Sequence, residues 1–308
     1  MRIDRILVPS DLSATAAEAL PPALELARRY GAAIRLVHVL EPIAAPFAEI
    51  YAYGSTNAPE RDFQARVLEA EGALLKLVAV TPNPHGVKVE TRVVGGLVGF
   101  EIGEQAKECE LIVMSTFGNT GLNRLLLGSI AERVVRLSNV PVLTIRPGAR
   151  PEAVGLGTVK RVLFPVDLTV QSFAAAPVAR ELANRFGAEL DLLCVGIDPH
   201  AIPVSGFVQD YLPGDFYQNA ELRTITKMRE LAAPNGITPG HGTRFFVRFG
   251  TAYKEIVAHA TEAPCELIVM STHGRTGVPR WVIGSVAERV VRLAPCPVLT
   301  VRVEHATA

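Results

Sequence analysis

The chain has 308 residues, 49% hydrophobic and 20% charged, which marks it as globular rather than disordered and gives it length for two domains of roughly 150 residues. Lys plus Arg and Asp plus Glu balance at 31 each, so nothing electrostatic points to nucleic acid or an anionic membrane as the main partner. No apolar run reaches bilayer length, and the opening MRIDRILVPSD enters a strand without a signal-peptide h-region or cleavage site, so a cytoplasmic location is expected.

Residues 5–11, RILVPSD, read as a strand ending in a polar turn. Residues 13–30 have helical spacing and stop at Gly31; Pro21 and Pro22 interrupt them, which predicts a kink or a late helix start. A second strand is expected at 34–40. An irregular segment follows at 41–60, carrying Phe47, Tyr51 and Tyr53, then a helix at 63–80 and a third strand at 87–94. Gly95-Gly96 turns the chain into a helix near 100–107. The stretch CELIVMSTFGNTGLNRLLLGSIAERVVRLSNVPVLTIR, from Cys109 to Arg146, then reads as buried strand, glycine-punctuated loop, helix and buried strand.

The whole pattern recurs. RVLFPVD begins 156 residues after RILVPSD, and the same offset joins Gly31 to Gly187, Cys109 to Cys265, Gly118 to Gly274 and Gly128 to Gly284. Pro177 falls at the position of Pro21. The offset is 154 at Gly96 and Gly250, and Ala263-Pro264 restore 156. The second irregular segment, 198–219, is again aromatic, with Phe207, Tyr211, Phe216 and Tyr217. The predicted fold is α/β: two tandem doubly wound domains, 1–147 and 160–304, each a five-stranded parallel sheet with helices on both faces, joined by a Pro/Gly-rich linker at 148–159.

Gly128-Ser129 and Gly284-Ser285 stand where a helix begins, and free N–H groups with the helix dipole make that place an anion site. Ser129-x-x-Glu132 and Ser285-x-x-Glu288 are equally capping boxes, which need no ligand. Asp11 and Asp167 end the first strand of each half. Each can meet a ribose hydroxyl or an adenine amino group, or cap the next helix. These places converge with residues 115–118 and 271–274 if the first and fourth strands are neighbours. The four cysteines contain no CxxC and read as small buried residues, and the seven histidines lack ligand spacing, so no metal site is predicted.

With these residues the chain resembles the universal stress protein family in its tandem form, over nearly its whole length. Nucleotide-binding members carry G-2x-G-9x-G-[S/T]. Here the halves read Ser115-2x-Gly118-9x-Gly128-Ser129 and Ser271-2x-Gly274-9x-Gly284-Ser285, with Ser for the first Gly in both. Serine is small, and its hydroxyl can donate to a phosphate. The resemblance implies an adenine nucleotide alpha hydrolase-like fold and a bound ATP, with Mg2+ or Mn2+ bridging its phosphates. It places Asp11 and Asp167 at the adenosine, Val39 and Val195 at adenine, and Met114 and Met270 beside the ribose. It sets Gly118, Gly128 and Ser129, with Gly274, Gly284 and Ser285, at the phosphates. Pro9, Ser115 and Ile130, with Pro165, Ser271 and Val286, complete the two sites. Arg275, where the first half has Asn119, adds a fixed charge and predicts the tighter site in the second half. His273 reads as a loop histidine rather than a base, since no nucleophile or third triad member accompanies it.

The function expected is a nucleotide-dependent regulator in stress response, with slow or no hydrolysis. The alternative is a nucleotide-free adaptor or chaperone-like protein using the aromatic segments. An ATPase is disfavoured, since the P-loop GxxxxGK[ST] is missing and no general base is evident. The fifth strands, 140–145 and 297–301, would be sheet edges. The resemblance implies that the halves pair through them as an internal pseudo-dimer, and symmetry allows two chains to pair again as a homodimer. A protein partner is expected but not named by the sequence.

Overall fold

The computed structural model describes residues 2–41, 58–116, 127–146, 156–198, 215–240, 242–272 and 283–302. The chain divides into two compact units, Arg2–Pro147 and Gly148–Ala308. In the first unit the order is β1 (Arg5–Pro9), α1 (Ala14–Ala17), α2 (Leu20–Tyr30), β2 (Ala33–Leu40), α3 (Ala58–Val80), β3 (Val89–Gly95), α4 (Val98–Ala106), β4 (Leu111–Ser115), α5 (Ser129–Leu137) and β5 (Val142–Ile145). Its sheet runs β3-β2-β1-β4-β5, and the registered pairs are parallel.

The second unit repeats this with β6 (Arg161–Val166), α6 (Val170–Phe173), α7 (Ala176–Phe186), β7 (Glu189–Gly196), α8 (Phe216–Ala232), β8 (Thr243–Phe249), α9 (Ala252–Glu262), β9 (Leu267–Ser271), α10 (Ser285–Leu293) and β10 (Val298–Val301). Its sheet runs β10-β9-β6-β7-β8, again parallel. Among the described residues no helix is long and apolar enough to cross a membrane.

The central strands are short apolar runs covered on both faces. Leu111–Ser115 and Leu267–Ser271 are buried at every residue. The helices bury one stripe: Ala131, Val134 and Val135 of α5 point inward at i, i+3, i+4 spacing. The prolines act as a late helix start. The expected 13–30 helix is two helices, and Pro21 and Pro22 sit in the first turn of α2, where a missing N–H costs little. Gly31 and Gly187 end α2 and α7 at φ 68 and 66, the left-handed conformation that suits glycine.

Three expectations shift. The helix expected at 63–80 begins at Ala58, and the one expected near Phe100 begins at Val98. Phe216 and Tyr217, expected in an irregular segment, open α8. The Tyr217 ring packs edge-on against Phe249 of β8 at 5.0 Å, which ties the start of the helix to the sheet. Within the expected linker, Leu156 and Val159 are buried. Glu110, just before β4, has a role that was not singled out from the sequence. Its Oε2 accepts from the N–H groups of Asp4 and Arg5, and Glu266 does the same for Lys160 and Arg161, which satisfies the amino end of β1 and β6.

Candidate nucleotide site

β1 pairs with β2 on one side and β4 on the other, so the chain's direction of travel across the sheet reverses between β1 and β4. The same holds for β6, β7 and β9. That reversal opens a crevice beyond the carboxyl ends of these strands. It brings Asp167, Ser271 and Thr272 to one pocket in the second unit, and Asp11, Ser115 and Thr116 hold the same sequence positions in the first.

In both units the strand ends in a strained turn. Leu12 and Leu168 each have φ 65, unusual for a branched residue. Asp11 Oδ1 accepts from the N–H and the hydroxyl of Ser13 at 3.0 and 2.5 Å, and Asp167 Oδ1 accepts from Thr169 at 3.1 and 2.6 Å. Ser13 and Thr169 then cap the short helices, accepting from Ala16 and Ser172 N–H. The aspartates therefore orient the capping residues and are not themselves the caps.

The helix following the glycine-rich loop is capped differently from the expectation. Its N-cap is Gly128 or Gly284, with no side-chain cap hydrogen bond, so Ser129 and Ser285 are the first helical residues and the capping box does not form. A box needs its serine at the N-cap and its glutamate at N3; here both stand one position too late. The first-turn N–H groups of α5 and α10 lack intrahelical acceptors, and Ser285, Val286 and Ala287 of α10 line the crevice pocket. The N–H of Gly128 donates to Thr116 O, and that of Gly284 to Thr272 O, both at 2.9 Å, which ties the start of each helix to the end of the strand before it. The threonines are tied in turn to β5 and β10, through Ile145 O and Val301 O. A Cβ at Gly284 would lie 3.2 Å from the Thr272 oxygen, which explains glycine there.

In the second unit these elements enclose a pocket of about 330 Å³. Pro165, Asp167, Val195, Met270, Ser271, Gly284, Ser285 and Val286, all singled out from the sequence, line it. Gly274 and Arg275 lie outside the described residues, as do His273, Gly118 and Asn119. Pro9, Asp11, Val39, Met114, Ser115, Gly128, Ser129 and Ile130 hold the corresponding places on β1, β2, β4, the turn after β1 and the start of α5. The aromatic segments fall largely at 42–57 and 199–214, also outside the described residues.

Ser172, Ile197, Gly250 and Ala252 line the pocket too and were not singled out. Ser172 accepts from Asp167 N–H at 3.3 Å and so braces the aspartate. Gly250 was legible only as a turn. Its φ of 144, matched by 153 at Gly96, lets the chain fold over the crevice from β8. Among the described lining residues Asp167 is the one carboxylate.

The universal stress protein family model matches residues 2–146 and again 158–302. The chain belongs to the universal stress protein family. A universal stress protein of Mycolicibacterium smegmatis is 26% identical over 298 residues, 96% of each chain. One from Methanocaldococcus jannaschii is 36% identical over 145 residues, covering 46% of this chain and 81% of its own length. Among solved structures, a universal stress protein from Archaeoglobus fulgidus shares the fold at a TM-score of 0.65 and 21% identity, over 97% of this chain and 96% of that one.

Proposed function

We propose that this universal stress protein is an ATP-binding regulator of the stress response, one nucleotide per unit, with hydrolysis slow or absent. One observation carries the reading. A single pocket of the second unit combines a carboxylate at the end of β6, the backbone end of β7 and an uncapped helix N-terminus. Its volume of about 330 Å³ suits a small ligand, near the lower end of the usual ~300–1,000 Å³. Asp167 would hold the ribose or adenine, and Val195 would offer backbone groups to the base. The first-turn N–H groups of α10 would take the phosphates. A divalent cation would be held by the phosphates themselves.

Slow hydrolysis is supported by the engagement of Asp167. Its Oδ1 already accepts two hydrogen bonds from Thr169, a poor starting state for a general base. Arg275 supports the tighter site in the second unit.

The test is calorimetric titration of the nucleotide-free full chain with ATP and magnesium. Two binding events are expected. Asp167→Asn keeps an oxygen acceptor for Thr169 and so preserves the turn, while removing the charge; it should weaken the second-unit event at least ~10-fold, about 1.4 kcal/mol, and Asp11→Asn the other event. Correctly folded protein that takes up no ATP would sink the proposal.

A further inference from the structure

Toward the amino end of β7, at the other end of the strand from Val195, three buried side chains from three elements meet. Asp191 lies on β7, His259 in the last turn of α9 and Cys265 just before β9. Their exposures are 0%, 6% and 0%. A carboxylate oxygen, an imidazole nitrogen and the Cys265 Sγ all lie within 4.8 Å of one another.

Arg244 Nε and Nη2 both donate to Asp191 Oδ1, at 3.0 and 2.9 Å. That leaves Oδ2 toward His259 Nε2 at 3.3 Å, with Arg161 Nε 4.0 Å away. The Phe246 ring lies against the imidazole, centroids 4.7 Å apart.

We propose that Asp191, His259 and Cys265 form a zinc-binding site in the second unit. One oxygen, one nitrogen and one sulfur donor suit a borderline dication, and Glu189, which pairs with both Arg161 and Arg244, shares their charge with Asp191. Zinc bonds of ~2.0–2.3 Å would require the three atoms to draw together by about an ångström, within the reach of side-chain rotation. On binding, the thiol proton leaves to solvent as the Zn–S bond forms, and water completes the tetrahedron. Arg244 on the other carboxylate oxygen is the outer partner that orients the ligand. Sequence spacing could not reveal the set, because 68 residues separate Asp191 from His259.

The first unit is an internal control. There the corresponding positions are Arg35, Gln105 and Cys109, a cation and an amide in place of carboxylate and imidazole. The chain should therefore bind one zinc, not two.

The experiment uses the full chain, stripped with chelator and free of nucleotide, titrated with Co2+ and then Zn2+. One cobalt per chain is expected, with a near-ultraviolet thiolate-to-metal band and tetrahedral visible bands that one equivalent of zinc bleaches. Cys265→Ser should abolish the thiolate band, and His259→Gln, which copies the first unit, should weaken zinc binding at least ~10-fold. Cys109→Ser should leave both readouts unchanged. Circular dichroism establishes that each variant is folded. The proposal is overturned if folded wild type gives no thiolate band, or if Cys265→Ser keeps the band or an unchanged zinc affinity. Asp191 would then serve only as a buried acceptor for Arg244 and a neighbour of His259.

Discussion

In the first unit β2 buries Arg35 directly across from Glu90 of β3; in the second, β7 buries Asp191 directly across from Arg244 of β8. The sign of the buried charge is reversed, and its partner is reversed with it. Arg35, 3% exposed, reaches Glu108 at 2.8 Å and Glu90 at 4.0 Å. Asp191, fully buried, is met by Arg244, Arg161 and His259.

The same exchange occurs by size. Leu40 lies opposite Gly95, while Gly196 lies opposite Phe249, so bulk moves from one strand to its neighbour. On the helices, Arg133 lies where a side chain at Gly99 would go, whereas Arg289 stacks on the Tyr253 ring at 4.8 Å. What the two units hold in common is the neutral, filled pair rather than either residue. The reason is that an unpartnered buried charge or a void costs more than any particular choice of pair.

The comparison can be broken most forcefully at the charges. Asp191→Arg would place a guanidinium beside Arg244 and Arg161, and should cost the second unit about 3–5 kcal/mol. Adding Arg244→Glu, which copies the first unit's pair, should restore most of that loss; urea denaturation followed by circular dichroism reads both. A double variant no more stable than the single one would show that the pairs are not interchangeable.

A smaller effect is expected at the size pair. A Cβ at position 196 would lie 2.9 Å from the Phe249 ring, so Gly196→Leu should cost about 1–3 kcal/mol in the same assay. Gly196→Leu with Phe249→Gly, the first unit's arrangement, should recover part of it.

The smallest effect concerns Cys109, whose thiol is pushed up to about 11, chiefly by burial. Its folded value lies above the unfolded ~8.5, so its contribution to stability is whole below that pH and is lost as pH rises through the folded value. Iodoacetamide at pH 8 should leave Cys109 unmodified in the native protein and label it after unfolding.

Much of this was legible. Apolar runs too short for helices, the 156-residue offset and the paired glycines marked the strands, the duplication and the start of α5 and α10. The aspartates were legible as turn residues, but not their action through Ser13 and Thr169, which depends on a left-handed leucine that no residue type announces. The capping box failed because the 2.9 Å bond to Thr116 or Thr272 makes the glycine the N-cap, and that bond is a tertiary contact. Ser172, Ile197 and Ala252 were missed because no local pattern brings them to the pocket wall.

The sequence by itself determined the duplicated α/β units, their apolar strands and the glycines at the helix starts, since these follow from local periodicity and backbone freedom. Only the tertiary structure decided which strands are neighbours, and hence that Asp167 and Gly284 share one pocket and that Asp191, His259 and Cys265 meet. Those proximities come from strand order and register, which join residues far apart in the chain.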